Sequence, residues 1–169
     1  MKALVCSDFG STQDLTLEQR EDLEPGAGEV LIDVKAAGVN FPDILTVEGK
    51  YQFKPELPFI PGTEVSGVVT KLGKGVTTRK VGDEVVGMVQ IGGFASQVVT
   101  SEYTTFQKGS SMSYEQAAGF AVTYGTSYYA LKQRAQLQPG ETVLVLGAAG
   151  GVGIATIQIA TAMGSTVIA

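Results

Sequence analysis

The run GAAGGVG, from Gly147 to Gly153, has the residue types and spacing to do chemistry with its backbone. Its glycines fall as Gly147-x-x-Gly150-x-x-Gly153, one residue longer at the front than the common G-x-G-x-x-G. Without Cβ atoms the segment can turn sharply and bring its amides against a pyrophosphate, while a helix that follows points its positive end at the same charge. A glycine triplet alone is a weak signal and is also compatible with a purely structural turn. Here the apolar run VLVL precedes it, and IATIQIATAMG and then TVIA follow, as strand, loop, helix and second strand of a nucleotide-binding βαβ unit would. In such a unit the residue that reads the adenosine ribose follows the second strand, which places it after Ala169.

The remaining chemistry is narrowed by what the sequence lacks. With no histidine and a single cysteine, neither a structural nor a catalytic zinc site can be assembled from these residues, and a Ser-His-Asp or Cys-His nucleophile is excluded on the same count. Chemistry carried by a cofactor remains, with the protein positioning it. Asp43 and Glu64 are candidate acids, but Asp43 is better read as capping the short helix of FPDILTVEG and Glu64 as one half of a buried structural ion pair. The net charge of −5, without a block of like charges, gives no footprint for nucleic acid or an anionic membrane. Thr142–Ala169 contains no charged residue, yet its crowded glycines suit a loop far better than a membrane span, and the missing charge fits strands and a helix buried in a larger sheet. Cys6 reads as a small core side chain, and the absence of an apolar leader makes a cytoplasmic, reducing location the default.

Upstream elements must position any such site. Lys2–Cys6, Leu15–Glu21, Glu29–Val39, Glu64–Leu72, Glu84–Val89 and Phe94–Thr100 have the length and β-branched content of strands, separated by the turn signals EPGAGEV, PFIPGTE and VGDEV. Their spacing predicts a partly closed β-barrel or sandwich. Character changes at Ser113, whose hydroxyl can cap YEQAAGFAVTYGTSYYALKQRA, although Glu115 sits one position short of a capping box. Apolar residues at three- and four-residue intervals predict a helix there, interrupted by Gly119 and Gly125.

Five motifs in this order resemble the medium-chain dehydrogenase/reductase superfamily, in its zinc-free quinone oxidoreductase branch. They are Asn40-Phe-Pro-Asp43 before Gly49-Lys-Tyr51, Pro61-Gly-Thr-Glu64-x-x-Gly67-x-Val69, Val81-Gly-Asp83-x-Val85, Thr123-x-Gly-Thr126-x-Tyr128 and the glycine run. Zinc-dependent relatives have cysteine at the place of Asn40 and histidine at that of Thr63, so the metal site is gone here. The resemblance implies a β-rich, chaperonin-10-like barrel catalytic domain over residues 1–125, followed by the start of a Rossmann α/β domain over 126–169, with NADPH in the cleft. It assigns Asn40 and Tyr51 to the nicotinamide and quinone pocket and Thr126 to the nicotinamide. Gly147, Ala148, Ala149, Gly150, Gly151, Val152 and Gly153 would hold the pyrophosphate. A second tyrosine common in the family is here Leu45.

The function implied is NADPH-dependent reduction of a quinone, enone or related electron-poor carbonyl by hydride transfer without metal. Two alternatives stay open: an alkenal or enoyl-thioester reductase on the same scaffold, and a shortened form that folds its barrel but holds no cofactor. Members of the family are roughly twice as long, so these residues resemble their N-terminal half. The apolar surface left by two strands and one helix predicts self-association into a homo-oligomer.

Overall fold

In the computed structural model, which describes Met1–Ala169, the β-branched stretch EVLIDVKAAG forms the strand β3 (Glu29–Gly38) at the heart of the first unit. It pairs antiparallel with β4 (Glu64–Leu72) on one side and β6 (Gln97–Ser101) on the other. With β5 (Glu84–Met88) and β7 (Thr105–Gln107), the sheet order is β6-β3-β4-β5-β7. Alternation sends Val30 and Ile32 inward against Val65, Val69, Val85 and Val98, all between 0% and 3% exposed. The β3–β4 register slips between Leu31 and Ile32 and again between Val34 and Ala36, and such bulges add twist and curvature.

The hairpin of β1 (Lys2–Val5) and β2 (Thr16–Gln19) is stitched to this sheet through the 94–96 segment. Leu4 N–H donates to Phe94 O at 2.9 Å and Ser96 N–H to Lys2 O at 2.8 Å. Those bonds explain why the strand expected from Phe94 begins at Gln97. Cys6 is buried with Val47 and Phe59 in a satellite core, as its apolar context suggested. Its thiol donates to Asp8 O at 3.2 Å. The edge strand β7, too short for alternation to register, was not foreseen. The 77–79 turn is anchored from both sides. The buried Glu102 carboxylate accepts from Thr77 and Thr78 N–H at 3.0 and 2.7 Å, and Arg79 reaches both the hydroxyl and the carbonyl of Thr105.

The helical stretch after Ser113 is two helices rather than one. Ser113 does close a capping box, with Gln116 as the partner three residues on: Gln116 N–H donates to Ser113 Oγ at 3.2 Å and Ser113 N–H to Gln116 Oε1 at 2.9 Å. The helix α2 (Tyr114–Ala118) stops on Gly119, and α3 (Ala121–Tyr128) begins the second unit. Two compact units result, Met1–Gly119 and Phe120–Ala169, divided slightly ahead of the boundary expected after Gly125.

In the second unit α3 runs on as a π-helical turn, Tyr129–Arg134. The strand β8 (Thr142–Leu144), the helix α4 (Gly151–Ala162) and β9 (Thr166–Ile168) follow. The two strands are parallel, with Val143 opposite Val167. One face of the pair packs on α4 around Leu131, Leu137 and Ala160. The other leaves Leu144, Leu146 and Ile168 at 64%, 84% and 54% exposure. No helix is long and apolar enough to cross a membrane.

Candidate functional site

In the first unit the candidate residues gather at the N-terminus of the short helix α1 (Phe41–Val47). Asn40 is its extended N-cap residue, and Pro42 fits the first turn because the N–H it lacks has no intrahelical partner there. Asn40 N–H donates to Asp43 Oδ2 at 2.7 Å, and Asp43 N–H returns to Asn40 O at 3.0 Å. Asp43 thus caps the helix as expected. Glu64 meets the same residue through its side chain: Asn40 Nδ2–H donates to Glu64 Oε1 at 2.8 Å.

Both carboxyls are inside the protein, Asp43 at 3% and Glu64 at 1% exposure. Room for Glu64 comes from its ladder partner Gly38. A Cβ there would fall on Glu64 Oε1 and 2.5 Å from the Ala118 carbonyl oxygen. Asp43 Oδ1 takes no hydrogen bond, and the residue lines an apolar cavity of about 370 Å³ with Leu4, Leu15, Val47 and Phe94. Burial pushes its carboxyl above the usual Asp range, against the opposing pull of Asn40 N–H and the Thr63 hydroxyl.

Tyr51 is placed by the other end of α1. Gly49 adopts φ +68°, and the N–H groups of Lys50 and Tyr51 both return to Leu45 O, at 2.8 and 3.1 Å. The chain turns out of the helix and leaves the phenol ring 37% exposed. Asn40 and Tyr51 therefore flank one helix.

In the second unit the glycine run forms a loop that opens α4. Gly147 has φ +71°, Gly150 N–H donates back to Gly147 O at 3.1 Å, and the first helical bond runs from Ile154 N–H to Gly150 O at 2.8 Å. The amides of Gly151, Val152 and Gly153 precede that bond, and a helix start leaves such groups without intrahelical partners. Ala148 and Ala149 form the crest between Gly147 and Gly150. Gly153 sits where a Cβ would fall on Gly147 O and 2.8 Å from Ala148 Cα, so only glycine closes the loop this tightly.

Thr126 is exposed on α3, and its buried neighbour Ser127 fastens that helix to the loop. Ser127 Oγ lies 2.9 Å from Thr123 O and 3.1 Å from Val152 O, and accepts from Thr156 Oγ1 at 3.1 Å. This clasp was missed in the sequence. A serine inside a helical run has no spacing that separates it from a solvent-facing one.

The arrangement can be compared with known proteins. Residues 26–160 match the alcohol dehydrogenase GroES-like domain. A quinone oxidoreductase-like protein 2 homolog from Nematostella vectensis is 45% identical over 161 residues, covering 94% of this chain and 44% of the relative. The chain belongs to the zinc-free quinone oxidoreductase branch of the medium-chain dehydrogenase/reductase superfamily. Solved structures of this superfamily agree with the fold. The human synaptic vesicle membrane protein VAT-1 homolog-like protein superposes with a TM-score of 0.95 at 36% identity, over 99% of this chain and 54% of that one. The quinone oxidoreductase of Thermus thermophilus, described with its NADPH complex, gives 0.87 at 39% identity over 99% of this chain and 52% of that one. The chain thus spans about half the length of the superfamily members it matches. The barrel-like catalytic domain followed by the start of a dinucleotide-binding domain is the fold of the superfamily.

Proposed function

We propose that the protein is an NADPH-dependent oxidoreductase that reduces quinones or related electron-poor carbonyls without metal. The observation that carries this reading is the loop at the start of α4, a backbone cradle that a Cβ at Gly153 would fill. Its fit to a dinucleotide pyrophosphate rests on three things: amide donors at Gly151, Val152 and Gly153, the positive end of a twelve-residue helix, and no carboxylate within the loop. The NADPH complex described for the Thermus relative supports the choice of cofactor.

Gly147 through Gly153 would hold the pyrophosphate, Thr126 would meet the nicotinamide, and Asn40 and Tyr51 would line the nicotinamide and substrate end. When bound, the reduced nicotinamide supplies a hydride. The work left to the chain is positioning and hydrogen bonding. The loop amides neutralise phosphate charge, and the half-exposed Tyr51 phenol offers a donor toward a developing oxyanion. No strong protein acid is needed, because a hydroquinone anion takes its proton from solvent.

Titration of the protein with NADPH and with NADH, followed by nicotinamide fluorescence, tests the reading. Micromolar NADPH binding that is lost in Gly153→Val supports it. A longer chain of this family member that binds NADPH but turns over neither a simple quinone nor an enone would refute the substrate class.

A further inference from the structure

The helix α3 is eight residues long and contains Gly125, so its own backbone holds it weakly. Ser127 is its one fully buried residue, at 1% exposure, so no fully buried apolar side chain sets the roll of the helix about its axis. Contacts with α4 do that instead. A Cβ at Gly151 would stand 3.1 Å from Thr123 Cγ2, which brings the first residue of α4 against Thr123. One turn on, Ser127 Oγ lies 2.9 Å from Thr123 O, 3.1 Å from Val152 O and 3.1 Å from Thr156 Oγ1. Tyr124 OH donates to Gln158 Oε1 at 2.5 Å. Thr123 and Ser127, four residues apart, share one face of the helix, and that face is the seam with the start of α4.

Thr126 directly precedes Ser127, about 100° around the helix axis, and is exposed. Fixing Ser127 against α4 therefore fixes where Thr126 stands relative to the amides of Gly151, Val152 and Gly153. The loop keeps its own shape without α3. Gly150 N–H donates to Gly147 O at 3.1 Å, Ile154 N–H to Gly150 O at 2.8 Å, and Gly153 closes on Gly147 O. We propose that Ser127, backed by Thr156, is a positioning residue that holds Thr126 in register with the pyrophosphate cradle, so that both ends of one dinucleotide are met at a preset spacing. The inference rests on the reading above that Thr126 and the loop bind NADPH. Ser127 touches no ligand in this scheme and acts wholly through Thr126. A preset spacing favours the whole dinucleotide over its parts, because binding then does not have to order α3.

Two measurements on the full-length protein test it. The first compares dissociation constants for NADPH and for its nicotinamide-free fragment, 2′-phospho-ADP-ribose, which reaches the loop but not Thr126. Ser127→Ala should weaken NADPH about tenfold, the size of one or two lost hydrogen bonds, and leave the fragment within about twofold. Thr156→Val, which keeps the shape of the side chain and removes its hydroxyl, should show the same selectivity with a smaller loss. The double variant should be no weaker than Ser127→Ala alone, since the two hydroxyls form one clasp. Equal losses for both ligands mark a residue that shapes the loop, and no loss for either marks a clasp that binding ignores. Each overturns the proposal.

The second is hydrogen exchange with no ligand present. Ser127→Ala should speed exchange of the α3 amides about tenfold, while Ile154, whose bond closes the loop, keeps its protection. An α3 as protected in Ser127→Ala as in the unsubstituted protein overturns the proposal without reference to any cofactor. If the unsubstituted protein binds neither NADPH nor the fragment, the functional reading fails and takes the cofactor role of Ser127 with it. Where the unsubstituted protein binds both, the pattern of losses judges Ser127 alone.

Discussion

In the unit Met1–Gly119 the candidate polar cluster is made of side chains, two buried carboxyls and an amide set behind a closed valine core. In Phe120–Ala169 it is made of backbone, helix-start amides exposed by glycine beside a sheet with one apolar face uncovered. The difference teaches where each is vulnerable. A side-chain cluster in a closed core responds to charge, to pH and to single-atom replacements such as Glu to Gln. A backbone cradle ignores those and fails when a Cβ is added.

The largest expected effect probes the backbone side. Gly153→Val places branched carbon on Gly147 O, and NADPH affinity should fall by at least about 100-fold, roughly 3 kcal/mol, in fluorescence titrations. An affinity within threefold of the unsubstituted protein would show that the loop is not the cradle. Gly38→Ala probes the side-chain unit with the same added atom. Overpacking against Glu64 and Ala118 should cost about 3 kcal/mol in urea unfolding and disturb the Asn40 amide signals. Next comes Ser127→Ala, which removes the hydroxyl that clasps α3 to Val152 at the start of α4, while Val152 O keeps Thr156 Oγ1 at 2.7 Å. A loss of about 1–2 kcal/mol is expected, confined to the second unit in hydrogen-exchange measurements.

Two smaller effects follow. The uncovered face at Leu144, Leu146 and Ile168 should drive self-association of the 169-residue chain, and Leu146→Lys should reduce it in sedimentation velocity. A concentration-independent monomer before substitution would deny that the face is sticky. The smallest is a pH effect at Asp43. Burial raises its native pKa, so the native state holds the proton more tightly than the unfolded chain does. Its contribution is fully present below the ordinary Asp value, about pH 4, and is lost as pH rises through the raised native value. Melting temperature of the unsubstituted protein should therefore decline relative to Asp43→Asn across that window, and parallel curves would argue against it. Glu102 runs the other way. The Thr78 hydroxyl and the Thr77 and Thr78 amides lower its pKa, so its contribution is present above the ordinary Glu range and lost on acidification.

Much of this was legible because it is local. Val30, Ile32, Val65 and Val85 declare their strands by alternation and branching, and the glycine run declares a loop between a strand and a helix. Asp43 as a helix cap follows from its place in NFPD. The breaks were less readable. Gly119 and Gly125 look alike in sequence, yet one ends α2 and the other stays inside α3.

The amino-acid sequence by itself determined the main strands, the absence of histidine from these residues and the glycine run between a strand and a helix, because spacing and composition are properties of the chain. Tertiary structure alone decided what those residues face. Glu64 lies twenty-four residues from Asn40, and only the β3–β4 ladder and the missing side chain of Gly38 bring carboxylate and carboxamide to 2.8 Å. Ser127 reaches Val152 across twenty-five residues in the same way. Directed contacts between distant side chains leave no periodic trace in sequence, since their cause is the packing of one element on another.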